Sequence, residues 1–260
     1  MITGNTASGT FYVFNKKEQS TPIVFVHGVG LTYEIWQPQL DFFKDYSNLS
    51  YDILGHGKSS LTKQNISFDD FSDQLIELIN ELKIEKIHLV GFSIGSLIAR
   101  NFATRYGDRL RSLVLLGSIY KRSEHQQKIV NERFNQAKKE LKLSRQALKR
   151  WFTDKYLENN PGTYEKISSI LSKNNMTNFL KVYELFVKHK NDEDFKKIQT
   201  KTLVMTGEHD IGSTIEMSQQ LNNVIMDSEL KIIKEGKHLC GIECADEVNL
   251  SIKNFIDKHE

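Results

Sequence analysis

The sequence has few of the residues that cross-links need, and it has no long apolar run. Its 260 residues include two cysteines, Cys240 and Cys244, which are too few for a disulfide framework and, without further ligands, for a metal site. We expect two free thiols in a cytoplasmic protein. No apolar run approaches the roughly 18 residues that a membrane-spanning helix needs. The first residues also lack the basic and apolar regions of a secretory signal, so neither a membrane span nor a signal peptide is predicted.

The net charge is also small, at +2, which argues against nucleic acid as the main partner. The charge is unevenly distributed. Residues 119–200 hold 18 Lys and Arg against 10 Asp and Glu, a net +8, whereas the rest of the chain holds 17 and 23, a net −6. Charged helix surfaces that face water are the simpler explanation. The functional alternative is a basic segment that concentrates anionic substrates.

The order of predicted elements indicates one large α/β domain with an insertion. Apolar runs predict strands at residues 10–14, 22–26, 49–54, 86–90, 110–116, 202–206 and 229–233. Helical spacing predicts helices at residues 34–44, 67–82, 96–103, 214–221 and 247–258. This alternation is typical of a parallel sheet between helices. Residues 119–199 interrupt it with a helical composition. We therefore expect an α/β core over residues 1–118 and 200–260, and a helical lid (cap) over residues 119–199 at the C-terminal edge of the sheet.

The stretch Gly91-Phe92-Ser93-Ile94-Gly95 stands between a predicted strand and a predicted helix. A serine in this G-x-S-x-G context is typical of a nucleophile elbow, a turn so tight that only glycine fits beside the serine. The turn is expected to present the Ser93 hydroxyl at the end of the sheet, with the Ile94 N–H directed at the same point. A chance serine in a glycine-rich turn would show the same pattern, so the interpretation depends on the rest of the chain.

A serine nucleophile needs a base and a carboxylate that orients the base, in the chain order Ser, acid, His on this type of fold. Asp210 follows the strand predicted at residues 202–206, and Glu208 is the alternative acid in the same turn. Asp210 could also serve only as a turn or N-cap carboxylate. His238, in the loop after the last predicted strand, is the predicted base. His259 is the other histidine beyond Asp210, and it is the penultimate residue, where chains fray.

Stabilising the oxyanion of an acyl transfer takes two N–H groups aimed at one point. Ile94 supplies one, and the turn His27-Gly28-Val29-Gly30 is expected to supply the other from Val29. His27 and His56 do not fit the chain order for the base, so both are predicted to be structural.

Three lid aromatics have two possible roles. Tyr120, Trp151 and Phe152 either line the substrate pocket or form the core of the lid. Their spacing alone favours the core.

The motifs agree in type, order and spacing with one family. They are His27-Gly28-Val29-Gly30, Asp52-Ile53-Leu54-Gly55-His56-Gly57-Lys58-Ser59, the elbow, Gly207-Glu208-His209-Asp210 and Lys237-His238. Over nearly its whole length the chain resembles the α/β-hydrolase fold superfamily, and within it the capped carboxylesterases, 3-oxoadipate enol-lactonases and C–C bond hydrolases. The resemblance implies an eight-stranded, mostly parallel sheet with a helical lid over Ser93. One departure is Ser96, where many relatives have a second glycine.

These observations predict a serine hydrolase of a carboxylic ester or lactone, possessing the triad Ser93, His238 and Asp210 and an oxyanion hole made by Val29 and Ile94. The predicted partner is a small-molecule ester or lactone substrate, and the basic lid keeps an anionic substrate as an alternative. No step needs a metal or an organic cofactor. Two alternatives use the same residues: a C–C bond hydrolase or lyase acting on a carboxylate-bearing substrate, and a ligand receptor with slow turnover.

Overall fold

The computed structural model describes residues 1–18, 20–139, 145–191 and 193–260. The strands are β1 (Ile2–Asn5), β2 (Phe11–Asn15), β3 (Ile23–Val26), β4 (Asn48–Tyr51), β5 (Ile87–Phe92), β6 (Leu110–Leu116), β7 (Thr202–Gly207) and β8 (Ser228–Ile233). They form one eight-stranded sheet in the order β1-β2-β4-β3-β5-β6-β7-β8. Neighbours from β4 to β8 pair in parallel, and only the pairs made by β2 are antiparallel. The predicted mostly parallel sheet is confirmed.

The helices of the described ranges are α1 (Gln37–Phe42), α2 (Phe68–Glu81), α3 (Ile94–Tyr106), α4 (Glu124–Lys139), α5 (Arg145–Trp151), α6 (Asp154–Asn159), α7 (Thr163–Ser172), α8 (Met176–Lys188), α9 (Ile215–Val224), α10 (Cys240–Glu243) and α11 (Ala245–Asp257). None of these described helices is long and apolar enough to cross a bilayer. Helix α2 begins with a capping box, in which Ser67 and Asp70 satisfy each other's backbone N–H groups.

Alternate side chains of the strands pack into two separate hydrophobic layers. Val24 and Val26 contribute to the layer under α2, α3 and α9, whereas Ile23 and Phe25 contribute to the layer under α1 and α11. This alternation follows from the two-residue repeat of a strand. Because both faces are covered, the strands read as continuous apolar runs in the sequence.

Three local features differ from the sequence-based prediction. Strand β1 has no apolar signal because it is an exposed edge strand, which forms by pairing with β2. The strand predicted at 49–54 ends at Tyr51, after which the Asp52 carboxylate accepts N–H groups from two other turns. The helix predicted at 34–44 is split into a 3₁₀ turn at Tyr33–Trp36 and α1, with Pro38 in the first turn of α1, where a missing N–H costs little.

Between β6 and β7 the described residues form α4 to α8 and no strand. Both ends of this segment contact one buried side chain. Arg100, on α3, donates to the carbonyl oxygen of Ile119 at 2.8 Å and pairs with Glu193 at 2.6 Å. Burial by itself would raise the pKa of Glu193, but His189, whose Nε2 lies 3.2 Å from Oε1, and the charge of Arg100 lower it to about 2. The two ends of the segment are therefore held together at α3.

We expect Arg100→Met to lower the free energy of unfolding by roughly 3 kcal/mol, because the buried Glu193 loses the guanidinium that pairs with it. Arg105→Met is the matched control, since the Arg105–Asp73 pair is largely exposed and should contribute less than about 1 kcal/mol. Urea denaturation of both variants measures the difference. Equal losses in the two variants would contradict the role of the buried pair.

Candidate active site

Ser93 lies on a strained turn between β5 and α3, at the carboxyl end of the sheet. Its backbone has φ of 56° and ψ of −120°, a conformation that residues with a side chain rarely adopt. A β-carbon on Gly91 would come within 2.3 Å of the carbonyl oxygen of Gly95, and one on Gly95 within 2.3 Å of that of Val26. Both elbow glycines are therefore sterically required. The departure at Ser96 is accommodated, because its buried hydroxyl donates to the Ser93 carbonyl at 2.5 Å.

The three side chains predicted as a triad form one hydrogen-bonded chain. His238 Nε2 is 3.3 Å from Ser93 Oγ, and the His238 Nδ1–H donates to Asp210 Oδ2 at 2.7 Å. The other Asp210 oxygen accepts from the N–H groups of Gly212 and Ser213 at 2.8 and 3.0 Å. The Asp210 side chain is 1% exposed and that of His238 is 20% exposed. The acid is thus shielded from water, whereas the imidazole remains accessible from the cavity.

The loops that carry Asp210 and His238 are bound to each other. The N–H of His209 donates to the carbonyl oxygen of Gly236 at 2.8 Å. Glu208, the alternative acid, lies on the surface, where its carboxylate accepts the N–H of Glu235 at 2.9 Å. The structure therefore places Asp210, and not Glu208, against His238.

The loop that follows β3 is held by the ring of His27. The His27 Nδ1–H donates to the carbonyl oxygen of Gly28 at 2.8 Å, and the N–H of Leu31 donates to the same oxygen at 3.2 Å. His27 Nε2 accepts the N–H of Ile53 at 3.0 Å. Because a peptide unit is planar, the bonds to the Gly28 carbonyl also set the direction of the Val29 N–H.

A second buried histidine holds the next peptide of this loop. His56 Nε2 accepts the N–H of Gly30 at 2.8 Å. The N–H groups of Val29 and Ile94, by contrast, have no acceptor in the described part of the chain. Val29 lines the same cavity as Ser93. Ile94 directly follows Ser93 and is the first residue of α3. Two unengaged donors therefore stand beside the serine, as an oxyanion hole requires.

Both histidines are held neutral. Burial lowers the pKa of His27 to about 4 and that of His56 to about 3, and the nearby His27 lowers the latter pKa further. The two ring centroids are 5.6 Å apart. A neutral imidazole can accept at one nitrogen while it donates at the other, which is how each ring joins two backbone segments. The prediction that both are structural agrees with these contacts.

A cavity of about 390 Å³ lies over Ser93, between the sheet and helices of the inserted segment. Trp151 lines it. Tyr120 packs instead against Phe195, and the fully buried Phe152 stacks on Tyr156. The three aromatics are therefore divided between pocket and core.

The cavity wall also carries positive charge, whose position could not be predicted from the sequence. Its described lining includes Arg122, Arg133 and Arg150, whereas Asp210 is the only carboxylate among these lining residues. Burial lowers the pKa of Arg122 to about 10, which still leaves it protonated at neutral pH. In the sequence these arginines are three of the 18 Lys and Arg of residues 119–200, and no local spacing distinguishes them. In the described ranges, no group of three or more His, Cys, Asp or Glu is placed to hold a metal ion.

Comparison with known proteins identifies the family. A model of the α/β-hydrolase fold matches residues 21–243. The chain belongs to the α/β-hydrolase fold family. This α/β hydrolase is 28% identical to the (E)-2-((N-methylformamido)methylene)succinate hydrolase of Acinetobacter baylyi, over 95% of this chain and 94% of that protein. It is 24% identical to 3-oxoadipate enol-lactonase 2 of the same organism, over 89% and 86%.

A solved structure shows the same fold. The enol-lactonase from Burkholderia xenovorans LB400 superposes on this α/β hydrolase with a TM-score of 0.89, at 22% identity, over 98% of this chain and 100% of that one.

We expect the melting temperature to fall as the pH is lowered from 6.5 towards 4. Over this range the unfolded chain binds protons at His27 and His56 that the folded chain excludes, so stability present above pH 6.5 is lost by up to roughly 1.4 kcal/mol per pH unit for each histidine. His56→Gln keeps an acceptor for Gly30 but does not titrate, and should flatten the dependence. His209→Gln removes an exposed histidine and should leave the pH dependence of the melting temperature unchanged. Identical slopes for both variants would refute this explanation.

Proposed function

We propose that this α/β hydrolase is a serine hydrolase that cleaves a carboxylic ester or a lactone through an acyl-enzyme on Ser93. The observation that carries the proposal is the hydrogen-bonded chain from Ser93 through His238 to Asp210, at 3.3 and 2.7 Å. An acyl transfer needs a nucleophile, a base and a carboxylate in this relation. Membership of a hydrolase family and the two unengaged N–H groups beside Ser93 support it.

In the proposed reaction His238 Nε2 takes the Ser93 proton as Oγ attacks the carbonyl carbon. The N–H groups of Val29 and Ile94 stabilise the negative oxygen of the tetrahedral intermediate. Asp210 holds the Nδ1–H and stabilises the charged imidazolium. The leaving alcohol oxygen then takes the proton from Nε2. A water molecule, deprotonated by His238, attacks the acyl-enzyme and releases the acid and Ser93. This route needs no metal or organic cofactor.

We further propose that residues 119–199 act as the lid of a core made by residues 1–118 and 200–260. Side chains from α4, α5, α7 and α8 line the cavity, so they form the wall that faces Ser93. Ser93 is only 6% exposed, and a substrate therefore reaches it through this cavity. In this arrangement the insertion supplies most of the surface that selects the substrate.

The proposed substrate bears a carboxylate in addition to the bond that is cleaved. The support is the group of arginines on the cavity wall. Arg122 donates through Nη1 to two backbone carbonyls of α8, whereas its buried Nη2 has no partner among the described residues. A guanidinium nitrogen without an acceptor is costly in a buried place, and a substrate carboxylate would supply one. This favours the interpretation of the basic lid as a device for binding anionic substrates.

The same observation favours a second candidate, hydrolysis of a C–C bond beside a carbonyl in a carboxylate-bearing substrate. Ser93, His238 and the two N–H groups would have the same roles on that carbonyl. A slow-turnover ligand receptor is the remaining alternative. Substrate assays with a covalent probe separate the three.

We expect turnover of p-nitrophenyl esters, assayed over acyl lengths C2 to C12, to depend on Ser93. Ser93→Ala should lose on the order of 10⁶-fold in kcat, and a fluorophosphonate probe should label the wild type only. Asp210→Asn should lose roughly 10³–10⁴-fold, because the wrong tautomer of His238 is favoured. Glu208→Gln is the matched control and should retain wild-type rates.

Full activity of Ser93→Ala would refute the mechanism. Labelling of Ser93 without ester turnover would instead favour a narrow lactonase, a C–C hydrolase or a receptor, and lactone and C–C substrates would then be assayed.

For the anionic substrate, we expect Arg133→Gln to raise KM roughly 10-fold for a p-nitrophenyl hemiester of a dicarboxylic acid, because a charge-assisted contact is lost. KM for the neutral ester of equal length should stay unchanged. Lys128→Gln removes a charge from the exposed face of the same helix and is the control. Equal effects of Arg133→Gln on the two esters would contradict carboxylate recognition.

A further inference from the structure

The turn between α7 and α8 lies directly against the loop that carries the Val29 N–H. A β-carbon on Gly30 would come 2.8 Å from Leu171 Cδ2 and 3.0 Å from Phe179 Cε2. Lys173, in the same turn, pairs with Glu34 at 2.6 and 2.7 Å. The inserted segment is therefore in close contact with the core next to Ser93, and the contact falls on one short loop.

Asn174 makes the polar part of this contact. Its Nδ2 donates to the carbonyl oxygen of Gly30 at 2.6 Å, and its Oδ1 accepts the N–H of Gly57 at 3.0 Å. Nδ2 also lies 3.2 Å from the carbonyl oxygen of Leu171 in its own turn. Because one core partner is an acceptor and the other a donor, the orientation of the amide is determined.

Two planar peptide units connect Asn174 to the Val29 N–H. The Gly30 carbonyl belongs to the same peptide as the Leu31 N–H, which donates to the Gly28 carbonyl at 3.2 Å. The Gly28 carbonyl belongs in turn to the same peptide as the Val29 N–H. In a planar unit, holding the carbonyl also holds the N–H. The Asn174 amide thus acts on the orientation of the Val29 donor through one intervening hydrogen bond.

The backbone conformation of Gly30 gives this support a role. Its φ of +76° lies in the region that glycine adopts freely, so the chain itself does little to resist rotation of the neighbouring peptides. His27 and His56 hold the peptides on the N-terminal side of Gly30. Among the described residues, Asn174 alone bonds the Gly30 carbonyl on the other side.

We infer that Asn174 is a positioning residue for the oxyanion hole, so that the inserted segment helps to assemble the catalytic machinery as well as covering it. The inference rests on the proposed acyl transfer at Ser93. Asn174 reaches the reacting atoms only through the loop backbone, and its loss should therefore weaken stabilisation of the oxyanion while leaving substrate binding in the ground state nearly unchanged.

The test compares Asn174→Asp and Asn174→Ala with Lys173→Met. The Asp variant is nearly isosteric and keeps an acceptor for Gly57, but it replaces the donor to Gly30 by a carboxylate oxygen. Lys173→Met breaks the neighbouring contact with Glu34 without touching the loop peptide, and it controls for a general weakening of the docked turn. Melting temperatures of all variants show that the assayed protein is folded.

For both Asn174 variants we expect kcat on a p-nitrophenyl ester to fall roughly 10- to 100-fold, less than or similar to deletion of one oxyanion donor, with KM within about threefold. The inhibition constant of an aryl trifluoromethyl ketone, whose adduct with Ser93 places an oxyanion in the hole, should rise by a similar factor. Lys173→Met should keep both quantities within about twofold of wild type.

Two results would overturn the inference while leaving the proposed function intact. In one, the Asn174 variants match Lys173→Met in kcat and in ketone inhibition. In the other, only KM changes, which would make Asn174 a substrate-binding residue. If the wild type neither turns over esters nor forms the ketone adduct at Ser93, the proposed function itself fails, and this inference fails with it.

Discussion

The close approach of the elbow to the end of β3 is the constraint on which the site depends. The backbone of Gly95 lies so near the Val26 carbonyl that a β-carbon there would reach within 2.3 Å of it. The chain leaves β3 at this point to form the loop with Val29, and it leaves β5 there to form the turn with Ser93. Two neighbouring strands of one parallel sheet thus bring both unengaged N–H groups to the same place. Both donors are backbone groups, so the path of the backbone alone positions them.

Three of the buried polar side chains around this contact are satisfied but uncharged. His27 and His56 each join two backbone segments as neutral rings, and the amide of Asn174 does the same from the insertion. A buried charge at these positions would require desolvation and a partner. Arg122, Arg133 and Arg150, by contrast, lie on the cavity wall.

The sequence predicted the parts of the site that depend on local spacing. Ser93, Asp210 and His238 follow strands in a fixed order, and each sits where a strand end must place it. The contact of Asn174 with Gly30 spans 144 positions, and the arginines are ordinary members of a basic segment, so no local pattern distinguishes them. Strand β1 was not predicted for a related reason. An exposed edge strand forms by pairing with its neighbour, and its own sequence has no apolar pattern that would reveal it.

The contacts of Arg100 affect how much the length of the inserted segment can vary. Ile119 and Glu193, at the two ends of the segment, both contact the buried guanidinium of Arg100. The chain between them is therefore a closed loop whose ends lie close together. The entropy of closing such a loop grows only slowly with length, by about 0.6 kcal/mol for each doubling. Loop closure by itself therefore sets only a weak limit on the length of the chain between Ile119 and Glu193. The stronger limit is packing, because the segment buries Val182 in one hydrophobic layer of the sheet and Ile167 in the other.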